Sequence, residues 1–259
     1  MQVQKKSRNR ELVYGINAVE QAIETSPEKI LSAWIAKGRE DDKRISKLVQ
    51  RLASYGVVTQ VAMRHFLDEK CEGGVHQGIV LEMKATPPKN EHDLDELLDS
   101  LQEQKEAPFL LVLDGVTDPR NLGAAMRSAW AAGAHGVVVP KDKSAPFSPA
   151  ARKTASGAAS ELPLFVVTNL ARVLDDFAER DIKIIGMDGA AEHDIYSTDL
   201  KGPLAIVMGS EESGMRRLTR EKCTDITKIP MAAGVESLNV SVAAGVVLFE
   251  AVRQRQNLS

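Results

Sequence analysis

The chain has 259 residues, 43% of them hydrophobic, which is enough for one large domain or two modest ones. Its formal net charge of −3 excludes a uniformly basic surface of the kind that coats nucleic acid. Cys71 and Cys223 form no C-x-x-C pair, which suits a reducing compartment and gives no cysteine zinc site. No apolar run reaches the ~18 residues of a membrane span, and the polar, basic start is unlike a signal peptide. We therefore expect a cytoplasmic protein.

The first third of the chain predicts a small α/β module behind a basic tail. Residues 1–11 are expected to be a disordered tail, and residues 12–85 the module. Helical patterns span 14–25 and 42–55, and strand patterns span 31–36, 57–61 and 76–83. Residues 1–89 carry 15 Lys and Arg against 11 Asp and Glu, so a polyanion could bind here. An ordinary solvated surface explains the same count.

The rest of the chain predicts an open parallel sheet. Residues 86–107 begin with prolines and continue as an acidic stretch, which indicates a linker with a short helix. From residue 108, helical patterns separate apolar runs at 109–113, 136–139, 182–186, 204–208 and 227–230. Such runs are typical of parallel strands covered on both faces, with ligand loops at their carboxyl ends. A final helix is predicted over 238–254, and general topology rules predict no knot.

Three loop segments at the ends of apolar runs are rich in Gly, Pro, Ser and Asn. They are residues 118–127 (DPRNLGAAMR), 206–215 (IVMGSEESGM) and the pair 229–231 (IPM) with 237–241 (SLNVS). The spacing of Gly209 and Gly214 suggests a phosphate loop, but Met215 and Arg216 follow where Lys and Ser or Thr are required. Without a lysine to neutralise the β- and γ-phosphates, the segment argues against a nucleoside triphosphatase. The two glycines fit close approach of the backbone to a ligand, or a simple strand-to-helix turn.

The polar side chains of these loops each have a structural and a functional interpretation. Asn121 could form a turn or cap a helix, and Glu211 could stabilise a helix amino terminus. Ser237 suits the cap of the last helix, and this places Asn239 in the first turn, where Asn is unfavourable and another role is indicated. Arg127 lies on a helix of small and apolar residues. If it is packed there, its guanidinium needs an anion, either a structural carboxylate or a phosphate group of a ligand.

The histidines give no sign of a metal centre. The five, at positions 65, 76, 92, 135 and 193, have no metal-binding spacing, and no H-E-x-x-H motif occurs. The sequence therefore predicts chemistry without a metal.

Taken in order, the three loop segments resemble the motifs of the SpoU/TrmH branch of the knotted (SPOUT) RNA 2'-O-methyltransferases, over about residues 108–255. Segments at 14–19, 36–39 and 75–79 are similar to the substrate-binding domain of several ribosomal-RNA members, which resembles the ribosomal protein L30e/L7Ae fold. The resemblance implies a SPOUT domain with a trefoil knot over 108–259 and an RNA substrate-binding domain over 12–85. It also implies a homodimer whose sites are completed at the subunit interface.

The same resemblance implies S-adenosylmethionine as cofactor and a ribose 2'-hydroxyl as acceptor. Over its full length the chain looks like the bacterial enzymes that methylate a guanosine in the peptidyl-transferase P-loop of 23S rRNA. The implied catalytic residues are Asn121, Arg127, Glu211, Ser237 and Asn239. The implied cofactor-binding residues are Gly189, Gly209, Ile229 and Leu238. Arg127 would hold RNA phosphate and stabilise the developing alkoxide, while the proton acceptor stays open.

Two alternatives remain at this point. A tRNA methyltransferase of the same family is disfavoured by the separate N-terminal module, because tRNA members commonly carry only short extensions. A non-catalytic ribosomal RNA-binding protein would account for residues 12–85 but not for three cofactor motifs.

Overall fold

A computed structural model describes residues 10–71, 73–84, 88–235 and 237–256. The chain divides into two compact units between Pro87 and Pro88. Within the described ranges, no helix combines the length and the apolar character needed to cross a membrane. The predicted tail falls mostly on residues 1–9, outside these ranges, whereas Arg10 and Glu11 already belong to the first strand.

The N-terminal unit is a four-stranded mixed sheet with helices on both faces. Its elements are β1 (Arg10–Tyr14), α1 (Ile16–Thr25), a 3-10 turn (Pro27–Lys29), β2 (Ile30–Ala36), α2 (Lys43–Ser54), β3 (Thr59–Ala62), α3 (Arg64–Lys70) and β4 (Ile79–Lys84). The strand order is β1-β4-β2-β3, with β4 antiparallel to both neighbours and β3 parallel to β2. Ile23, Ile45 and Leu52 from α1 and α2 fill one core, and Leu67 from α3 packs in a second cluster with Trp34.

Two elements of this unit have no counterpart among the predictions. Helix α3 buries only Leu67 among its seven residues, so it presents no periodic apolar stripe. Strand β1 shows partial burial over most of its length and lies inside what the sequence suggests is the tail and first helix. Weak periodicity therefore hid both.

The C-terminal unit is built on a seven-stranded sheet in which all pairs between strands are parallel. Its strands are β5 (Phe109–Asp114), β6 (Gly136–Pro140), β7 (Leu164–Val167), β8 (Lys183–Met187), β9 (His193–Asp194), β10 (Leu204–Gly209) and β11 (Asp225–Lys228). Its helices are α4 (Glu91–Glu103), α5 (Pro119–Ala131), α6 (Pro149–Ala155), α7 (Ala158–Glu161), α8 (Leu170–Glu179), α9 (Arg217–Glu221) and α10 (Val240–Gln256). The spatial order is β7-β6-β5-β10-β8-β11-β9.

The parallel α/β sheet expected from the apolar runs is confirmed. All six residues of β5 are buried, because α5 and α10 contribute to the core on one face and α4 and α8 to the core on the other. Strand β10 lies between β5 and β8, although it follows both in the chain. The trefoil knot stays an expectation from the resemblance.

The segment expected to be a linker with a short helix does contain a helix, but that helix is part of the C-terminal unit. Residues 88–107 belong to the C-terminal unit. A capping box between Asn90 and Asp93 opens α4, and Leu94 and Leu98 enter the core. Lys89 exchanges backbone hydrogen bonds of 2.8 Å with Leu164 and Val166, on either side of the middle of β7. The acidic exterior of α4 concealed a buried leucine stripe, which is why composition alone indicated a linker.

Candidate active site

The carboxyl ends of four neighbouring strands meet at one edge of the parallel sheet. In spatial order these strands are β5, β10, β8 and β11. Asn121 follows β5, Glu211 follows β10, Gly189 follows β8 and Ile229 follows β11. Helix α10 then packs against α5 and β10, so its first residues reach the same edge. The topology thus gathers the predicted loops in one place.

A hydrogen-bonded network joins three of the predicted site residues. Glu211 Oε1 accepts from Asn121 Nδ2 at 3.1 Å, from Asn239 Nδ2 at 2.7 Å and from the Val240 backbone N–H at 3.0 Å. Asn239 Nδ2 also donates to Asn121 Oδ1 at 2.9 Å. Since the three side chains come from three separate loops, the network locks those loops together.

The start of α10 corrects the predicted roles of two residues. Asn239 is the cap: its Oδ1 accepts from the backbone of Ser241 at 3.0 Å and of Val242 at 3.4 Å. Ser237 lies two residues earlier, is exposed, and makes no hydrogen bond within the described ranges. Asn239 is therefore not a misfit in a first turn. Glu211, which accepts from Val240, stabilises the amino terminus of α10 rather than of a helix following its own loop.

Gly209 is required by the local turn. A Cβ at this position would lie 2.2 Å from both the Gly214 carbonyl carbon and the Met215 nitrogen. Ser210 and Gly214 exchange backbone hydrogen bonds of 3.1 and 3.0 Å, and Gly214 has φ +65. The loop closes on itself and leaves no room for a side chain. Close packing against its own backbone is enough to require a glycine at this position.

The predicted cofactor residues keep unused backbone donors. Among the residues that the structure describes, the N–H groups of Gly189, Ile229 and Leu238 donate to no protein acceptor. Ile229 is half-buried against the main core, and Leu238 is half-buried as well. Free backbone donors beside apolar side chains suit a flat heterocycle, which needs a few directional hydrogen bonds and apolar contact. This edge therefore fits an adenosyl group.

Arg127 departs from what the sequence suggests. Its side chain is exposed, and it makes no hydrogen bond or ion pair with any part of the chain that the structure describes. The interpretation of Arg127 as a packed guanidinium paired with a structural carboxylate is therefore wrong. Arg127 also stays outside the Glu211 network, because six residues along a helix turn it about 120° from Asn121. Its guanidinium is available to a ligand.

Comparison with known proteins places the chain in a family. Residues 108–249 match the SpoU rRNA Methylase family, and residues 12–89 match the family described as RNA 2'-O ribose methyltransferase substrate binding. The protein belongs to the SpoU rRNA methylase family. Both units of the fold are accounted for by the two matches.

Individual relatives cover nearly the whole of this SpoU family member. Proteins from Yersinia pestis and from Escherichia coli K12, each named 23S rRNA (guanosine-2'-O-)-methyltransferase RlmB, are 54% identical over 245 residues. The alignments cover 95% of this chain and 98% and 99% of theirs. The crystal structure of the SpoU methyltransferase AviRb from Streptomyces viridochromogenes, in complex with the cofactor AdoMet, superposes with a TM-score of 0.77. It is 26% identical and covers 97% of this chain and 91% of its own.

Sequence reasoning missed two ion pairs at this edge of the SpoU domain. Asp114, the last residue of β5, is fully buried and pairs with Arg216. Asp188, next to Gly189, pairs with Arg220 on α9. The available signal was a single carboxylate closing an otherwise apolar run, as Asp114 does.

Burial of Cys223, on the loop after α9, raises the pKa of that thiol to about 12, so it is protonated at neutral pH.

Metal ligands and pockets add little to this picture. Within the described ranges no three His, Cys, Asp or Glu side chains come together as a metal site. A shallow pocket opens on the α8 and α9 side of the sheet edge, lined in part by Pro140, Asn169 and Arg216. It includes none of the predicted site residues.

Proposed function

We propose that this protein methylates the ribose 2'-hydroxyl of a guanosine in 23S rRNA, in the cytoplasm, with S-adenosylmethionine as methyl donor. The observation that carries the proposal is the 54% identity to proteins of that named activity over 95% of the chain. The identity extends through both units, including the match to a substrate-binding domain at 12–89. This favours the rRNA enzyme over a tRNA enzyme. The network at the sheet edge favours an enzyme over a simple RNA binder.

The cofactor is proposed to lie against the loops after β8, β10 and β11. Backbone N–H groups of Gly189, Ile229 and Leu238 would bind the adenosyl moiety, and the side chains of Ile229 and Leu238 would flank the adenine. S-adenosylmethionine supplies a methyl group already activated by its sulfonium, so transfer requires alignment and removal of the hydroxyl proton. Glu211, bonded to Asn121 and Asn239, keeps the three loops in fixed relation. Ser237 lies in the same loop segment and is proposed to face the substrate.

Arg127 is proposed to act on the RNA. Its guanidinium is exposed and unpaired in the described chain, so it can bind a phosphate without breaking an internal contact. A planar guanidinium matches phosphate oxygens bidentately and can also stabilise negative charge developing on the 2'-oxygen. Because guanidinium stays protonated in proteins, Arg127 is a poor proton acceptor. The acceptor is therefore assigned to another group, on the RNA or in solvent.

We further propose a homodimer, as the resemblance implies. Val242 and Phe249, seven residues apart on α10, are 53% and 50% exposed, with half-buried Val246 between them. Residues seven apart lie on one face of a helix, so this apolar stripe is suited to a second copy of the chain. Light scattering of the purified protein measures the assembly directly. A monomer at micromolar concentration would contradict the dimer.

The N-terminal unit is proposed to hold the RNA. Four of its basic side chains are exposed and make no ion pair within the described residues: Lys37, Lys43, Lys47 and Arg64. Such unpaired cations contribute sequence-independent affinity for phosphate. In this proposal residues 10–84, beginning with β1, form the substrate-binding domain and residues 88–259 form the methyltransferase domain.

The deciding experiment is ribose-methylation mapping of 23S rRNA from a strain that lacks the protein. We expect one guanosine in the peptidyl-transferase P-loop to lose its 2'-O-methyl group, and wild-type protein with S-adenosylmethionine to restore it in vitro. Unchanged rRNA with an unmethylated tRNA would select the tRNA enzyme. Calorimetry that detects no binding of S-adenosylmethionine would select the RNA-binding protein.

A further inference from the structure

A fully buried carboxylate lies beneath the Glu211 loop. Asp114 is 0% exposed, and among the described residues its two oxygens accept from Arg216 alone. Arg216 Nε–H donates to Oδ1 at 2.5 Å, and the Arg216 backbone N–H donates to Oδ2 at 2.9 Å. A buried charge is tolerated only when it is paired and hydrogen-bonded, so the position of Asp114 depends on Arg216.

Asp114 lies beside the beginning of the loop that follows β10, and Arg216 lies at its end. Asp114 is the register partner of Gly209, the last residue of β10, where the loop begins. Arg216 ends the loop and is the residue before α9. Between them the chain folds back at Ser210 and Gly214. The Asp114–Arg216 pair therefore fastens the far end of the loop beside its origin.

This loop carries Glu211, the centre of the site network. Glu211 receives donors from Asn121, which follows β5 and therefore Asp114, and from Asn239. We infer that Asp114 and Arg216 are a positioning pair, which holds Glu211 in register with Asn121 and Asn239 and so preorganises the cofactor loops. The inference rests on the proposed function only where it concerns cofactor affinity.

The alternative is that the pair stabilises the fold and nothing more. Fold stabilisation alone would affect the melting temperature but not the environment of the Asn121 and Asn239 side-chain amides well below that temperature. A positioning role would affect the melting temperature and the environments of both side-chain amides. The side-chain amide ¹H–¹⁵N signals of the full-length protein, assigned with Asn121→Ala and Asn239→Ala, are thus the discriminating measurement, and they require no methyl transfer.

The principal variant is Arg216→Ala, with Arg217→Ala as the matched control. Arg217 is the next residue and its side chain is 77% exposed; within the described part of the chain its one ion pair is with Glu221 on the surface. We expect Arg216→Ala to shift both amide signals and to raise the Kd for S-adenosylmethionine by about 10-fold or more, the scale of removing one charge-assisted hydrogen bond. Arg216→Lys should restore part of the affinity. Arg217→Ala should leave signals and Kd as in the wild type.

A second variant covers the case in which Arg216→Ala does not fold. In Asp114→Asn with Arg216→Ala, the unpaired buried charge is absent, so the melting temperature should recover relative to the single variant. The amide signals and cofactor affinity should not recover, because the loop end is still unfastened. Wild-type signals and Kd in either folded variant, despite a lowered melting temperature, would overturn the inference. Shifted signals in a protein whose wild type binds no cofactor would contradict the proposed function and leave the positioning role standing.

Discussion

In the C-terminal unit the polar side chains at the sheet edge bond one another across loops, whereas several basic side chains of the N-terminal unit make no ion pair with the residues that the structure describes. Glu211 alone collects three donors, and Asp114 is satisfied by one arginine. Lys43 and Lys47, on α2, have no ion pair among the described residues. The methyl transfer proposed for this edge requires fixed geometry, which residues bonded to one another can supply. Binding a flexible polyanion requires cationic side chains that can extend to its phosphates, and an unpaired lysine can do so.

A single helix repeats this contrast. Asn121 at the start of α5 belongs to the Glu211 network, while Arg127, six residues later on another face of the helix, is exposed. Substitution at a held residue should therefore change both structure and function, and substitution at a free residue should change function alone.

The largest expected effect is at Arg127. Arg127→Ala should lower kcat by about 10²-fold, the scale of losing one charge-stabilising donor, with unchanged melting temperature and cofactor Kd. Arg127→Lys should rescue poorly, because an ammonium lacks the bidentate fork. Single-turnover rates and thermal melts are the measurements, with Arg172→Ala on α8, also exposed and unpaired among the described residues, as control. If stability and cofactor binding were lost together, Arg127 would have a structural role instead.

Gly209 tests the opposite kind of residue, one that is held in place by its neighbours. Gly209→Ala should weaken binding of S-adenosylmethionine at least ~10-fold, about 1.4 kcal/mol, because the new Cβ would force the 210–215 loop open. Gly245→Ala on α10 is the control, since its Cβ would make only ordinary contact at 3.5 Å with Ser128. Calorimetry measures both. Unchanged affinity in Gly209→Ala would mean that the loop does not shape the cofactor site.

Removing residues 1–87 separates the two units. The remaining 88–259 should bind S-adenosylmethionine normally but show a raised KM for RNA, with a salt slope that falls by about 0.7 for each phosphate that the protein no longer neutralises. A matched deletion of residues 1–107 also removes α4 with its buried Leu94, Leu98 and Leu101, so it should melt earlier. Full activity of the shorter deletion on its RNA at ordinary salt would refute the division of labour.

The smallest effect is expected at the cap of α10. Asn239→Ala also removes the donor to Glu211; the loss of the cap by itself should lower the free energy of unfolding by about 1 kcal/mol and the melting temperature by roughly 2–4 °C. Ser237→Ala should leave the melting temperature unchanged, because Ser237 does not cap the helix. Equal shifts in the two variants would contradict this assignment of the cap.

The alternation of elements after residue 108 was predictable because β5 and its neighbours are buried on both faces, so their residues form continuous apolar runs. A short helix was also predicted within residues 86–107, but its place in the core was not, since the seven acids in residues 90–107 outweigh the three buried leucines of α4 in the composition of that segment. The choice between Ser237 and Asn239 as cap was equally hidden. Both residue types suit the role, and Glu211, from a loop distant in sequence, accepts the first N–H of the helix that begins at Val240.

The sequence by itself determined the parallel α/β class, the positions of most strands and the identity of the loops that meet at the site. These features are encoded locally, in runs of apolar residues and in the Gly, Ser and Asn that follow them. Only the tertiary structure decided that Arg127 is exposed, that Gly209 is enclosed by its own loop and that Asp114 is buried against Arg216. Exposure and pairing depend on which segments the sheet order makes neighbours, and spacing along the chain does not contain that order.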